Sequence, residues 1–157
     1  MSVSPDTAKI SAVEELDSKI VSLLAADGRC SFTDLGKATG LSTSAVHQRV
    51  RRLEERGVIA GYTAVVDYEA LGFPLAAFIS IKPIDPSQPD DSPERLAAIP
   101  EIEGCFSVAG DENYILKVRV PRPADLEELL ARIRSTANVS TRTTIVLSTP
   151  YENRAIT

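Results

Sequence analysis

Tryptophan is absent from this chain, histidine and methionine occur once each, and cysteine occurs twice. One histidine, His47, and two distant cysteines, Cys30 and Cys105, cannot write a zinc-finger spacing or a disulfide scaffold. Free buried thiols in a reducing compartment are expected instead. His47 has no second histidine and no cysteine near it, no metal-ligand cluster appears, and no Gly-rich phosphate loop precedes a helix. Catalysis, a cofactor and a metal are therefore not expected. No stretch approaches the roughly 18 apolar residues of a membrane span, and the opening MSVSPDTAKISAVEELD carries no apolar signal-type run. A cytoplasmic protein with no membrane partner is expected.

What is present fits a folded chain. Hydrophobic residues make up 43% and charged residues 25%, so a packed core is expected, and 157 residues suit one large domain or two small ones. The net charge of −5 argues against a protein that coats nucleic acid by bulk charge. The average conceals a division. Residues 1–66 hold eight basic and eight acidic side chains, so residues 67–157 carry the whole excess. Four of those eight basic residues, Arg49, Arg51, Arg52 and Arg56, fall within 49–56, which places a basic stripe on one element. The acidic half should stand away from any polyanion that this stripe meets.

Residues 1–13 are polar and without period, and read as a flexible arm. Leu16, Ile20, Leu23 and Leu24 then recur at helical spacing, and Asp27-Gly28 ends the run, giving a helix over about 14–26. Ser31 before Phe32-Thr33-Asp34 is a capping-box variant that opens a short helix over 32–39, closed by Gly40. Ser42 caps a third helix from Thr43 to about Arg56, and Gly57 stops it. Two capped helices joined by a short glycine-containing turn make a helix-turn-helix. Val58–Val66 reads as a strand or short hairpin leading out of it.

From Pro74 the composition changes. A strand over 75–81, a Pro- and Asp-rich loop, a short helix over 92–98, strands over 102–109 and 113–120, a helix over 123–135 and a strand over 140–148 follow in turn. Pro123 with Leu126, Leu129, Leu130 and Ile133 supports the longer helix. The order β-α-β-β-α-β is the ferredoxin-like arrangement, with two helices on one face of a four-stranded antiparallel sheet. A partly apolar free face predicts pairing of two such sheets in a dimer.

The third helix carries the chemistry. Val46, Val50 and Leu53 form its buried stripe, which leaves Ser44, Gln48, Arg51 and Glu55 opposite, flanked by Thr43, His47 and Arg52. Taken alone, such a run is a solvated face with ion pairs such as Arg51 to Glu55. After a capped short helix and a tight turn, it is a recognition helix. Ser42, Thr43, Ser44, His47 and Gln48 suit base edges or nearby phosphates. Arg49, Arg51, Arg52 and Arg56 suit phosphates, and Arg51 also has the reach for a guanine edge.

The strings LDSKIVSLLAADGRCSFTDLGKATG (16–40) and LSTSAVHQRVRRLEERGVIAGYTAVVD (41–67) closely resemble the DNA-binding half of the Lrp/AsnC, or feast/famine, transcriptional regulators. LGFPLAAFISI (71–81), CFSVAGDENYILKVRV (105–120) and TRTTIVL (141–147) resemble that family's effector-binding domain. The resemblance implies an α+β chain: an N-terminal helix-turn-helix (winged-helix-like) domain at 14–60, a linker strand and turn at 61–73, a C-terminal ferredoxin-like βαββαβ (RAM) domain at 74–150, and a tail at 151–157. It also implies double-stranded operator DNA as partner, a homodimer assembling to an octamer or similar, and control by an amino acid or related small metabolite.

In the family the effector lies at a junction between dimers, beside a glycine turn and the threonines of the last strand. The corresponding residues here are Gly110, Asp111, Glu112, Asn113, Tyr114, Thr141 and Thr143. The family's turn reads Gly-x-Tyr-Asp-Tyr. Here Glu112 stands for the first tyrosine and Asn113 for the aspartate, leaving Asp111 or Glu112 to supply the carboxylate. On their own, these turn residues describe a hairpin connection in which Gly110 and Asn113 supply positive φ, and the alternating threonines express strand propensity. An architectural protein that wraps DNA with weak sequence preference is the alternative reading.

Overall fold

The computed structural model describes residues 14–156, and the arm expected over 1–13 lies outside them. They form two compact units, one reaching to Val65 and including the segment from Tyr151, the other spanning Val66–Pro150.

The first unit is helical: α1 (Glu15–Ala26), α2 (Phe32–Thr39) and α3 (Thr43–Glu55). Its core is small, consisting of Ile20, Leu24, Leu35, Val46, Val50 and Leu53. The caps expected from sequence are present. Ser31 Oγ accepts from the backbone N–H of Asp34 at 3.1 Å, and Ser42 Oγ from that of Ala45 at 3.2 Å. The capping box at Ser31 is a variant in geometry as well, because its hydroxyl donates to Asp34 Oδ2 at 2.7 Å. Gly40 ends α2 in the left-handed region at φ 76°, where a side chain is disfavoured.

The second unit runs β1 (Leu75–Pro83), α4 (Ser92–Leu96), β2 (Ile102–Ser107), β3 (Tyr114–Val120), α5 (Pro123–Ala137) and β4 (Val139–Ile145). All three strand pairings are antiparallel, in the order β2-β3-β1-β4. Period-two alternation sends Ala77, Ile79 and Ile81 of β1 and Leu116, Val118 and Val120 of β3 into the core with Leu126, Leu129 and Ile133 of α5. The opposite face presents Phe78, 39% exposed, and Phe106, 52% exposed, among charged side chains. There Arg119 bonds Glu103 at 2.7 Å, and Lys117 lies 3.7 Å from the same carboxylate.

Three expectations change. Val58–Val66 forms no ladder, because among the described residues this segment has no strand beside it. Val58 and Ile59 instead donate back to the Leu53 carbonyl at 2.9 and 3.1 Å and pack on the helical core. Cys30 and Cys105 are free thiols, but neither is buried: Cys30 is half-buried, and Cys105 lies exposed on β2, an edge strand of the sheet. Positive φ among non-glycine residues occurs at Asn138 and Asn153, and among glycines at Gly40, Gly57 and Gly72. Gly110 and Asn113 therefore form their turn without left-handed backbone.

Candidate nucleic-acid interface and effector turn

Helix α3 buries Val46, Val50 and Leu53, and this stripe fixes which side chains face outward. Ser42, Thr43, Ser44, His47, Gln48, Arg51 and Arg52 are all exposed on the remaining surface. Ser42 is occupied as the cap, and its hydroxyl lies 3.4 Å from that of Ser44. His47 packs edge-on against Phe32 of α2, ring centroids 5.3 Å apart, so its imidazole is braced where it leaves the surface. Gln48, Arg51, Arg52 and Glu55 line one shallow depression. Within it Arg51 Nε donates to Glu55 Oε1 at 2.9 Å.

Arg49, expected from sequence on the phosphate-facing side, is engaged within the protein. Its guanidinium turns toward α1 and donates to Asp17 Oδ1 at 2.8 Å and Glu14 Oε2 at 2.9 Å. The hydrogen bond to Asp17, then that to Glu14, holds its pKa above the ordinary guanidinium value. Asp17 is nearly buried, so Arg49 neutralises a carboxylate that the helical core would otherwise leave unpaired. From its position on α3, Arg49 ties the helix to α1, while Arg51 and Arg52 are left exposed.

Gly36 went unmarked in the sequence. A Cβ at this position of α2 would lie 2.7 Å from the carbonyl oxygen of Leu41, inside the turn that delivers α3. A glycine in a helix interior is the available signal, since it costs about 1 kcal/mol relative to alanine and asks for a packing reason.

The turn at 110–113 sits at one end of the sheet. Tyr114 pairs with Ile81 of β1, and Ile81 pairs on its other side with Thr141 of β4, so turn and threonine flank the same row. Thr141 and Thr143 share a face, opposite Ile81 and Ile79, and Arg134 Nη1 donates to Thr141 Oγ1 at 3.2 Å. The other turn residues are held apart from the threonines. Glu112 pairs with Arg142, which lies between the two threonines on β4 and so points to the opposite face. Asn113 Nδ2 donates to Asp90 Oδ2 at 2.6 Å. Asp111 and Gly110 are exposed, and a Cβ on Gly110 would meet nothing within 4 Å. Arg142, Asp90 and Arg134 are partners that no local sequence signal announced.

Of the seven residues, Asn113 alone lines the nearby cleft, with Lys82, Pro83, Pro86, Gln88 and Asp90. That cleft holds about 100 Å³, well below the roughly 300 Å³ at which small-molecule sites begin. Among the described residues no group of three or more His, Cys, Asp or Glu is placed to hold a metal, and no helix is long and apolar enough to cross a membrane.

Comparison with known proteins adds an independent line. The AsnC-type helix-turn-helix domain matches residues 14–54, and the Lrp/AsnC ligand binding domain matches residues 76–156. The chain is 55% identical over 143 residues to the HTH-type transcriptional regulator LrpA of Mycobacterium tuberculosis, covering 91% of this chain and 95% of that one. It is 38% identical to the leucine-responsive regulatory protein of Haemophilus influenzae, with 87% and 84% covered. Among solved structures, a feast or famine regulatory protein from M. tuberculosis complexed with L-methionine superposes with a TM-score of 0.91. It is 54% identical, with 92% of this chain and 99% of that one covered.

Proposed function

The chain belongs to the Lrp/AsnC family of HTH-type transcriptional regulators, a DNA-binding and non-enzymatic family, and from that premise we propose which of its residues meet DNA and effector. Thr43, Ser44, His47, Gln48 and Arg51 of α3 meet base edges in the major groove, Ser42 and Arg52 meet flanking phosphates, and Arg49 fixes the helix from behind. The observation that carries this reading is the outward face of α3: a continuous exposed set of donors and acceptors on a helix whose other side is locked by Val46, Val50 and Leu53. One short helix spans only a few base pairs. A homodimer supplies a second, with half-sites about 34 Å or a multiple of it apart, and the exposed sheet face bearing Phe78 and Phe106 suits pairing of the two chains. Further assembly toward an octamer, and a cytoplasmic location, belong to the same reading.

An amino acid or related metabolite is the proposed effector, supported by the methionine complex of the mycobacterial relative. The cleft beside Asn113 is too small for an amino acid on its own, which supports a site completed by a second copy. Neither backbone conformation nor a crowding neighbour demands glycine at 110, which agrees with space kept clear for something outside the chain. With Glu112 taken by Arg142 and Asn113 by Asp90, Asp111 is the exposed carboxylate left to meet an α-amino group. Thr141 and Thr143 supply hydroxyls from β4.

Competition binding at one fixed salt concentration tests the reading and separates it from an architectural role. A sequence-specific regulator prefers a fragment from its own promoter over unrelated duplex by about 10³-fold or more, and the preference shifts when an amino acid is added at millimolar level. An architectural protein shows a ratio near one with or without amino acid.

A further inference from the structure

The arginines of α3 occupy three different electrostatic settings. Arg49 is committed inward to Asp17 and Glu14. Arg52 is exposed and has no carboxylate partner among the described residues. Arg51 is exposed as well, yet its Nε is bonded to Glu55 Oε1 at 2.9 Å, one helical turn along. In the free protein that pair is weak, because its side chains are 71% and 60% exposed. Docking against a duplex removes the water around it and strengthens it.

The pairing has a geometric consequence. A guanidinium is a rigid planar fork, and with Nε occupied its two Nη groups are the donors left for another acceptor. Two parallel N–H donors match O6 and N7 of guanine in the major groove, the commonest specific contact made by arginine. A phosphate needs no such restraint, and a carboxylate held beside the same guanidinium repels it. Resting on the recognition-helix reading above, we propose that Glu55 is a positioning residue that holds Arg51 for a guanine edge and against a phosphate. Glu55 therefore adds sequence preference while opposing non-specific affinity.

The test uses the full chain, the footprinted operator duplex and all its single-base-pair variants, at fixed salt and across a salt series. For the unaltered protein, replacing one G·C pair in each half-site costs roughly tenfold or more in affinity. Glu55→Ala flattens that single preference to within about threefold and tightens binding to unrelated duplex. Glu55→Gln, whose amide oxygen still accepts from Nε, keeps the preference while gaining the same non-specific affinity. Arg52→Ala leaves every base preference in place and lowers the salt slope by about 1 per subunit, or about 2 for the dimer. Because Glu55 is exposed at the C-terminal end of α3, where a negative charge is disfavoured, neither substitution there threatens the fold.

Retention of the G·C preference in Glu55→Ala, or an equal loss at every position, overturns the proposal. If Arg51→Ala abolishes that preference and Glu55→Ala does not, the role of Glu55 falls and the recognition helix stands. If Arg51→Ala alters no position, both fall together.

Discussion

Replacing Gln48 and Arg51 together by alanine is expected to erase the operator footprint while leaving the protein folded. Each side chain can make a bidentate contact with a base pair, and such a contact is worth about 1–3 kcal/mol of discrimination. Losing both removes about 2 kcal/mol or more from each α3, a factor of roughly 30 per helix. A dimer loses this at both half-sites, which carries specific binding into the non-specific range. The cost to the fold is slight. Both residues are exposed, and the one ion pair broken, Arg51 with Glu55, is of the exposed i,i+4 kind that contributes about 0.3–0.5 kcal/mol. Thermal melting unchanged within a degree or two, beside lost protection in a footprinting titration, is the expected pair of observations. A footprint that survives the double replacement removes α3 from the role of reader.

Alanine at Gly36 is expected to damage the same unit by a different route. Alanine ordinarily strengthens a helix interior by about 1 kcal/mol relative to glycine. Here the new Cβ meets the Leu41 carbonyl oxygen at 2.7 Å, a backbone atom held by the surrounding turn. The N–H groups of Gly40 and Leu41 both donate to the Gly36 carbonyl, at 2.8 and 3.1 Å, and Ser42 is fixed next door as the cap of α3. Overpacking of this kind costs typically 1–3 kcal/mol. With the turn unable to yield, the clash outweighs the propensity gain. The core beneath consists of six buried residues, so even a small net loss is a large fraction of the stability available.

Gly40 provides the contrast. Its φ of 76° favours glycine, and nothing lies within 4 Å of a Cβ there. Asparagine, which tolerates the left-handed region, should be accepted at 40 and rejected at 36. Urea unfolding followed by a probe in each unit, together with DNA binding, reads the outcome. The expected result is early loss of the helical unit in Gly36→Ala with the Val66–Pro150 unit unchanged.

How much of this was legible in the sequence depends on the distance over which each feature is written. The caps at Ser31 and Ser42, the stop at Gly40 and the stripe Val46-Val50-Leu53 are local, and the helices followed from them to within a residue or two. The alternation in β1 and β3 and the spacing of leucines in α5 likewise placed the sheet and its covered face. Features that depend on contacts between distant residues were not legible. Arg49 looks identical in character to Arg51 and Arg52 until Asp17, 32 positions earlier, is brought beside it. Val58–Val66 has strand composition, but a strand also needs a neighbour, and composition does not supply one. Gly110 and Asn113 suggested left-handed turn residues, yet their turn is built without positive φ. The effector residues came from resemblance alone, and within one chain Glu112 is tied to Arg142, on the face of β4 opposite to Thr141 and Thr143.

Contact between the outward face of α3 and the bases is the point on which the rest depends, and site-directed photocrosslinking reads it without inference from affinity. A benzophenone amino acid placed at Gln48 in the full chain is irradiated with end-labelled promoter DNA, and the crosslinked base is mapped. The same label at Glu128, on α5 of the other unit, serves as the reference. The expected result is crosslinking from position 48 to one or two bases in each half-site, symmetrically placed and competed only by specific duplex, with none from position 128. Crosslinks from position 128 alone, or from position 48 spread evenly along the fragment, would contradict a reading helix at α3.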